Sequence, residues 1–216
     1  MDDVREQLTA NPQALVSFVT TEHFILQTAR GNTTFESNGR AGIYLSTVSG
    51  TLLALAFIAQ LSSGGTAFVA FGLVLFPALL FVGLATYDRV LQSSIEDLAL
   101  AQRINKIRRF YLEAAPQLRD YLAPAVQTDT HDELLRAGAM RPGPWQLLLS
   151  MAGMVGVLNS VLVGVLVALL AGVTTGGDHP LPTAVAGVVA FGLSVAGHQW
   201  HQSRRRNAEP SPFIER

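Results

Sequence analysis

Four long apolar segments alternate with charged segments along this chain. They cover Ala41–Leu61, Thr66–Thr86, about Leu147–Val173 and about Leu181–Trp200. None of them contains Asp, Glu, Lys or Arg. Each has about 20 or more residues, which is the length that a helix needs to cross a hydrocarbon core. The pattern predicts an all-α, polytopic integral membrane protein with four transmembrane helices.

The charged segments predict the orientation of these helices. All 15 Lys and Arg residues lie in residues 1–40, 87–146 or 201–216. The two short connections, residues 62–65 and 174–180, contain none. Because basic residues are retained on the cytoplasmic side during insertion, we expect both termini and the central segment to be cytoplasmic. The protein is then a multi-pass protein of the plasma membrane.

These boundaries divide the chain into five parts. They are a cytoplasmic N-terminal helix (1–40), a transmembrane hairpin (41–86), a cytoplasmic helical segment (87–146), a second transmembrane hairpin (147–200) and a cytoplasmic tail (201–216) that we expect to be disordered. Residues that loosen a helix precede the first span, namely Gly31, Asn32, Asn38 and Gly39. Thr130 and Glu133 match a capping box and predict a short helix after them.

The segments on either side of the first hairpin are predicted to pair as an antiparallel helical stalk. Residues 12–40 and 87–115 have equal lengths, and both carry apolar stripes. The four-residue connection makes the first two spans antiparallel neighbours, so their extensions emerge side by side, as in a coiled coil. Positions at equal height then have numbers that add up to about 127. This register places Arg30 opposite Asp97.

The same register brings Glu22 close to Arg103. Glu22 interrupts an otherwise apolar stripe, so either it pairs with basic residues of the other helix, such as Arg103, or it points to water. Exposed ion pairs are each worth about 0–1 kcal/mol, so such pairs specify the register more than they stabilise it.

A few polar residues lie inside the predicted spans. Asn159, with Ser160 beside it, either lines a pore or makes an interhelical hydrogen bond, and we favour the hydrogen bond, worth about 0.6–2 kcal/mol. Ser46 and Thr47 either line a hydrated path or bond their own backbone. Pro77 is expected to kink the second span, as a hinge or as part of a passive scaffold.

Basic and aromatic residues flank the second hairpin. Arg204, Arg205 and Arg206 directly follow the fourth span and are predicted to contact anionic lipid headgroups. Trp145 and Trp200 fall at the same predicted membrane face, where aromatic residues are enriched.

Motifs for chemistry are missing from the sequence. There is no cysteine, no phosphate-binding loop, no dinucleotide fingerprint and no HExxH pattern. The spans lack the ionisable residues that proton-coupled pumps use. His198 and His201 are three residues apart but have no third ligand nearby in sequence. We therefore expect no enzyme activity, cofactor, metal site or nucleic-acid partner.

The plan of residues 12–115 resembles the SLATT class of bacterial membrane effector domains. The resemblance is carried by the capped apolar helix from Pro12, the tight hairpin Ala41–Thr86 and the apolar stripe Leu91–Tyr111. It implies a pore-forming or membrane-disrupting role that a cytoplasmic sensor partner controls. The two further spans after Leu147 depart from the simple two-span plan.

Two functional hypotheses follow. The first is a non-enzymatic scaffold or interaction protein in the lipid bilayer, whose cytoplasmic helices meet a protein partner or another copy of the chain in a homo-oligomer. The second is an oligomeric pore-forming channel or membrane effector that is gated by a cytoplasmic partner.

Overall fold

A computed structural model describes residues 11–62, 65–121 and 144–208 of the chain. Every regular element in these residues is a helix. The helices are α1 at Pro12–Ser62, α2 at Thr66–Ala114, a 3-10 helix at Pro116–Asp120, α3 at Pro144–Leu149, α4 at Met151–Thr174 and α5 at Pro180–Ala208. The helices α1, α2, α4 and α5 are each long and apolar enough to cross a membrane. The predicted all-α class with four such segments is therefore confirmed.

α1 runs without a break through the positions that were expected to loosen it. Gly31 and Gly39 both lie inside this helix. A helical glycine costs about 1 kcal/mol relative to alanine, which a long and cooperative helix tolerates. Across Gly39, the Arg40 Nε donates to the carboxylate of Glu36 at 2.9 Å, and a pair at this spacing supports the helix. The expected interruption does not occur.

α2 remains helical on both sides of Pro77. A proline has no N–H group, so it cannot bond to the carbonyl of Leu73 one turn earlier. Pro77 is exposed on this chain, whereas Phe76 and Leu79 beside it are buried. The proline therefore lies on the side of α2 that faces away from the packed residues, and its role as a hinge stays a prediction.

The third apolar segment is divided, although the sequence predicted one helix over Leu147–Val173. α3 ends at Leu149, Ser150 has an extended backbone, and α4 begins at Met151. The Ser150 hydroxyl accepts from the backbone N–H of Gly153 at 3.1 Å and donates to the carbonyl of Leu147 at 2.7 Å. Serine is a favoured cap, and here it starts a new helix inside an apolar run.

The predicted tail begins too early, because α5 continues through residue 201 to Ala208. The side chain of Gln202 is fully buried, and its Nε2 donates to the Ser150 hydroxyl at 3.0 Å. This contact explains why the helix persists beyond its apolar part. Residues 209–216 and the capped helix predicted at Thr130 lie outside the described residues.

The chain forms two compact units, which divide α1 and α2 between them. Unit 1 consists of the residues up to Phe35 and those from Ser94 to 142, and Leu26 and Ile104 are buried in it. Unit 2 consists of residues 36–93 and 143–216. Its buried apolar side chains include Val48, Leu55, Phe76, Leu79, Val155 and Leu162.

The turn at Ser150 predicts that Gly153 cannot be enlarged. A Cβ on Gly153 would overlap the carbonyl oxygen of Leu147, which is backbone and cannot move aside. We expect Gly153→Ala to lower the free energy of unfolding by about 1–3 kcal/mol, as an overpacked core residue does. Thermal unfolding in detergent, followed by circular dichroism, measures this loss.

Gly192→Ala in α5 is the matched control, because nothing lies within 4 Å of a Cβ there. An open helical glycine should tolerate alanine or gain about 0.5–1 kcal/mol from it. Equal melting temperatures for the two variants would contradict the tight turn.

Candidate functional site

A buried hydrogen bond joins α1 and α4 in the centre of unit 2. The Tyr44 hydroxyl donates to Oδ1 of Asn159 at 2.6 Å. Asn159 is 0% exposed and Tyr44 is 1% exposed. α2 meets this bond at Gly83, where a Cβ would overlap both Asn159 Oδ1 and the Tyr44 oxygen. Three helices therefore meet at one polar contact, and a larger residue at position 83 would have to displace Tyr44 or Asn159.

This arrangement bears on the two interpretations of Asn159. The side chain makes an interhelical hydrogen bond, although its Nδ2 has no partner among the described residues. Ser160 is also fully buried, and its hydroxyl donates to the carbonyl of Gly156 in its own helix at 2.8 Å. Both residues are thus engaged within this chain.

A second polar contact joins α2 and α5. The Tyr87 hydroxyl donates to the carbonyl of His198 at 2.7 Å. The Tyr87 and His198 rings meet edge to face, with their centroids 4.7 Å apart. α4 approaches both at Gly156, where a Cβ would lie 3.2 Å from the Tyr87 ring and 3.3 Å from His198 Cβ. This glycine therefore allows the close approach.

The third polar contact is the bond between Gln202 and Ser150. The Ser150 hydroxyl donates to Leu147 and accepts from both Gly153 and Gln202, so all its hydrogen-bonding capacity is used. It connects the turn between α3 and α4 to α5. We call the three contacts, Tyr44–Asn159, Tyr87–His198 and Gln202–Ser150, the polar core of unit 2.

An open cleft of about 430 Å³ lies between α2 and α5. α2 contributes Leu84, Tyr87 and Asp88 to it, and α5 contributes Ser194, Gly197, His198 and His201. His198 Nδ1 lies 2.8 Å from the carbonyl oxygen of Ser194, so this nitrogen carries the proton and donates. In the neutral tautomer that carries this proton, Nε2 is the hydrogen-bond acceptor.

The three arginines at the end of α5 lie in three different environments. Arg204 stacks over the Trp200 ring at 4.0 Å from its centroid. Arg205 forms a loose ion pair with Asp88 at 3.7 Å. Arg206 is partly buried, and burial lowers the pKa of its guanidinium. The three arginines predicted to contact lipid headgroups therefore do not share one environment. Arg204 and Arg205 each contact a side chain of this protein, and Arg206 is partly buried. Trp145 lies in α3, and its side chain is outside what the structure describes.

A charged contact joins α1 and α2 outside their longest apolar stretches. Glu36 accepts from Arg40 Nε at 2.9 Å and from the guanidinium of Arg89 at 3.0 Å. The hydrogen bond from Arg40, followed by that from Arg89, lowers the pKa of the Glu36 carboxyl. These two contacts of Glu36 were not predicted from the sequence.

In unit 1, Arg30 and Asp97 form the contact that the proposed register placed there. Arg30 Nε lies 2.7 Å from Asp97 Oδ1, and its NH2 group lies 3.2 Å from Oδ2. Both side chains are about one-third to two-fifths exposed, at 43% and 32%. Glu22 and Arg103 are both exposed, and their pairing stays a prediction.

The hydroxyls of α1 differ in what they contact. Thr47 donates to the carbonyl of Ile43 and Thr51 donates to that of Thr47, each at 2.9 Å. Ser46 is exposed on this chain. Among the described residues, no group of three or more His, Asp or Glu side chains is placed to hold a metal ion, and His198 and His201 therefore remain two histidines without a third ligand.

Comparisons with protein-family models, with curated proteins and with solved structures find no match for this chain. The function is therefore inferred from the helices and side chains themselves. The polar core binds helix to helix, the cleft is open, and the charged contacts lie outside the longest apolar stretches.

The polar core predicts that a side chain at Gly83 displaces the two buried side chains that meet there, Tyr44 and Asn159. We expect Gly83→Ala to break or displace the Tyr44–Asn159 hydrogen bond and to lower the free energy of unfolding by about 1–3 kcal/mol. The measurement is thermal unfolding in detergent. Gly50→Ala in α1 serves as the control, because nothing lies within 4 Å of a Cβ there. If Gly83→Ala unfolds at the same temperature as this control, the three helices do not meet as described.

Proposed function

We propose that this chain is an integral membrane protein with four spans and that it acts as a non-enzymatic scaffold. Its termini and its central segment lie in the cytoplasm, where α1 and α2 continue as an antiparallel stalk that meets a cytoplasmic partner or another copy of the chain. The observation that carries this proposal is the Arg30–Asp97 ion pair, which joins the two long helices α1 and α2 outside their apolar stretches.

The outer faces of α1, α2, α4 and α5 support a membrane location. Large apolar side chains on them are well exposed, including Ile43 at 71%, Phe57 at 59%, Phe81 at 75%, Val188 at 69% and Leu193 at 70%. Soluble monomers rarely expose contiguous apolar patches of this kind. In lipid, exposing these faces carries no free-energy penalty. The distribution of the 15 basic residues supports the proposed orientation.

Contacts between α1 and α2 support the antiparallel stalk. In unit 1 the contact is Arg30 with Asp97, and in unit 2 Tyr44 reaches Gly83. In both cases the two residue numbers add up to the same value, as an antiparallel pair requires. A half-exposed ion pair contributes little to stability, so its value to the stalk lies in fixing the register.

The use of polar groups supports a scaffold over an enzyme. In the described part of unit 2, the side chains of Tyr44, Asn159, Ser150 and Gln202 bind helices to one another. A catalytic acid or base must instead be able to reach a substrate and exchange a proton with it. The groups with charge lie at the ends of the apolar stretches, where a partner protein can reach them.

The topology is tested with single cysteines, since the chain has none of its own. Ser63→Cys and Thr175→Cys should react with a membrane-impermeant maleimide on intact cells, because both connections face the outside. Ser17→Cys is the matched control and should react only after lysis. Protection of positions 63 and 175 in intact cells, or labelling of position 17, would refute the proposed orientation.

A second candidate function is an oligomeric pore. It is favoured by Ser46 and Ser49, which are exposed on this chain within an apolar stretch, so that neighbouring copies could join these hydroxyls into a hydrated path. The resemblance to SLATT domains implies the same role. Planar-bilayer recordings on the purified protein separate the two candidates. The scaffold predicts a silent bilayer, and reproducible unitary currents that Ser46→Leu abolishes would overturn it in favour of the pore.

A further inference from the structure

The cleft between α2 and α5 changes in polarity along its length. On α2 the lining begins with Leu84 and ends one turn later with Asp88, and on α5 it begins with Ser194 and Gly197 and ends with His201. With the proposed orientation, both helices run toward the cytoplasm here. The uncharged end of the cleft, at Leu84 and Ser194, then lies in the hydrocarbon, and the end at Asp88 and His201 lies at the level of the headgroups. This order matches that of an amphiphile.

The polar end offers one negative and one positive group side by side. Asp88 and Arg205 are 3.7 Å apart, and their side chains are 57% and 55% exposed. Such an exposed ion pair contributes little to stability, so replacing it with contacts to a ligand costs little free energy. A headgroup that carries both a phosphate and an ammonium can replace one weak pair by two charge-assisted contacts.

We propose that this cleft binds one phospholipid with a primary-amine headgroup of the ethanolamine type. The phosphate lies at Arg205, the ammonium lies at Asp88, and an acyl chain runs beside Leu84 and Gly197. The inference rests on the membrane placement proposed above and adds a lipid ligand to it.

The acceptors of the cleft distinguish this headgroup from others. The Asp88 carboxylate and the His198 Nε2 accept hydrogen bonds, and a primary ammonium donates three. A choline headgroup carries the same charge but has no N–H to donate. A glycerol headgroup has no positive charge for Asp88. We therefore expect ethanolamine lipids to bind more tightly than choline or glycerol lipids.

The proposal can be tested by placing a larger side chain in the part of the cleft that would hold the acyl chain. Gly197 lines the cleft and nothing lies within 4 Å of a Cβ there, so a side chain added at this position begins in open space, and Gly197→Leu is designed to fill the cleft. Gly192→Leu is the matched control, because it is equally open on the same helix but does not line the cleft. Both variants should fold as the wild-type chain does.

The experiment is native mass spectrometry of the purified, delipidated full chain, titrated with phosphatidylethanolamine, phosphatidylcholine or phosphatidylglycerol of identical acyl chains. We expect the wild-type chain and Gly192→Leu to bind the ethanolamine lipid about tenfold more tightly than the choline lipid, as a lost charged hydrogen bond requires. Gly197→Leu should lose most of this binding. Asp88→Asn should remove the preference, whereas Arg205→Gln should weaken both lipids alike.

Equal binding of the ethanolamine and choline lipids by the wild-type chain would overturn the proposal, and so would equal binding by the two leucine variants. Competition by soluble phosphoethanolamine as strong as that by the lipid would also overturn it, because the ligand would then be a free phosphate ester. Extraction of the protein from membranes by alkaline carbonate would instead refute the proposed membrane function. Retention in the membrane without lipid preference refutes the cleft proposal alone.

Discussion

The Tyr44–Asn159 hydrogen bond is the contact on which the packing of unit 2 depends. It lies where α1, α2 and α4 meet, and Gly83 leaves the space that it occupies. In lipid, apolar surface gives helices no reason to prefer one another over their solvent, so packing shape and hydrogen bonds decide the arrangement. A tyrosine and an asparagine placed in otherwise apolar helices select one rotation and one height for each helix.

Glycine also permits the close approach of α4 and α5, as Gly83 does for the contact between Tyr44 and Asn159. A Cβ on Gly164 of α4 would lie 2.9 Å from the carbonyl oxygen of Gly187, and one on Gly187 of α5 would lie 2.8 Å from that of Gly164. The two helices therefore approach backbone to backbone at one level. Farther along them, Gln202 reaches the Ser150 hydroxyl. Close packing and a polar bond thus fix α4 against α5 at two separate points.

The sequence was informative where the deciding property is local. Apolar length and the positions of charge identify the four long helices, and helix rise with a short connection is enough to place Arg30 opposite Asp97. The role of Gly83 depends on two other helices that approach it, so no spacing within α2 reveals it. The break at Ser150 was missed because a capping serine is uninformative inside an apolar run until the packing of Gly153 and Gln202 is known. Gly31 and Gly39 suggested an interruption of α1, but the cooperativity of a long helix keeps this segment helical.

The side chains of unit 2 differ in whether their hydrogen-bonding groups are available to a ligand. In unit 2 the hydroxyl of Ser150, the amide of Gln202 and the Tyr44–Asn159 pair are committed to holding helices together, and disturbing them disturbs the fold. Asp88, Arg205 and the Nε2 of His198 are different, because they border an open cleft and their present contacts are loose or leave an acceptor available. A ligand at these atoms would replace weak contacts, because the Tyr87 hydroxyl bonds the backbone carbonyl of His198 and not its ring. A helical protein assembled in this way has room for a ligand at its margins that does not require its helices to repack.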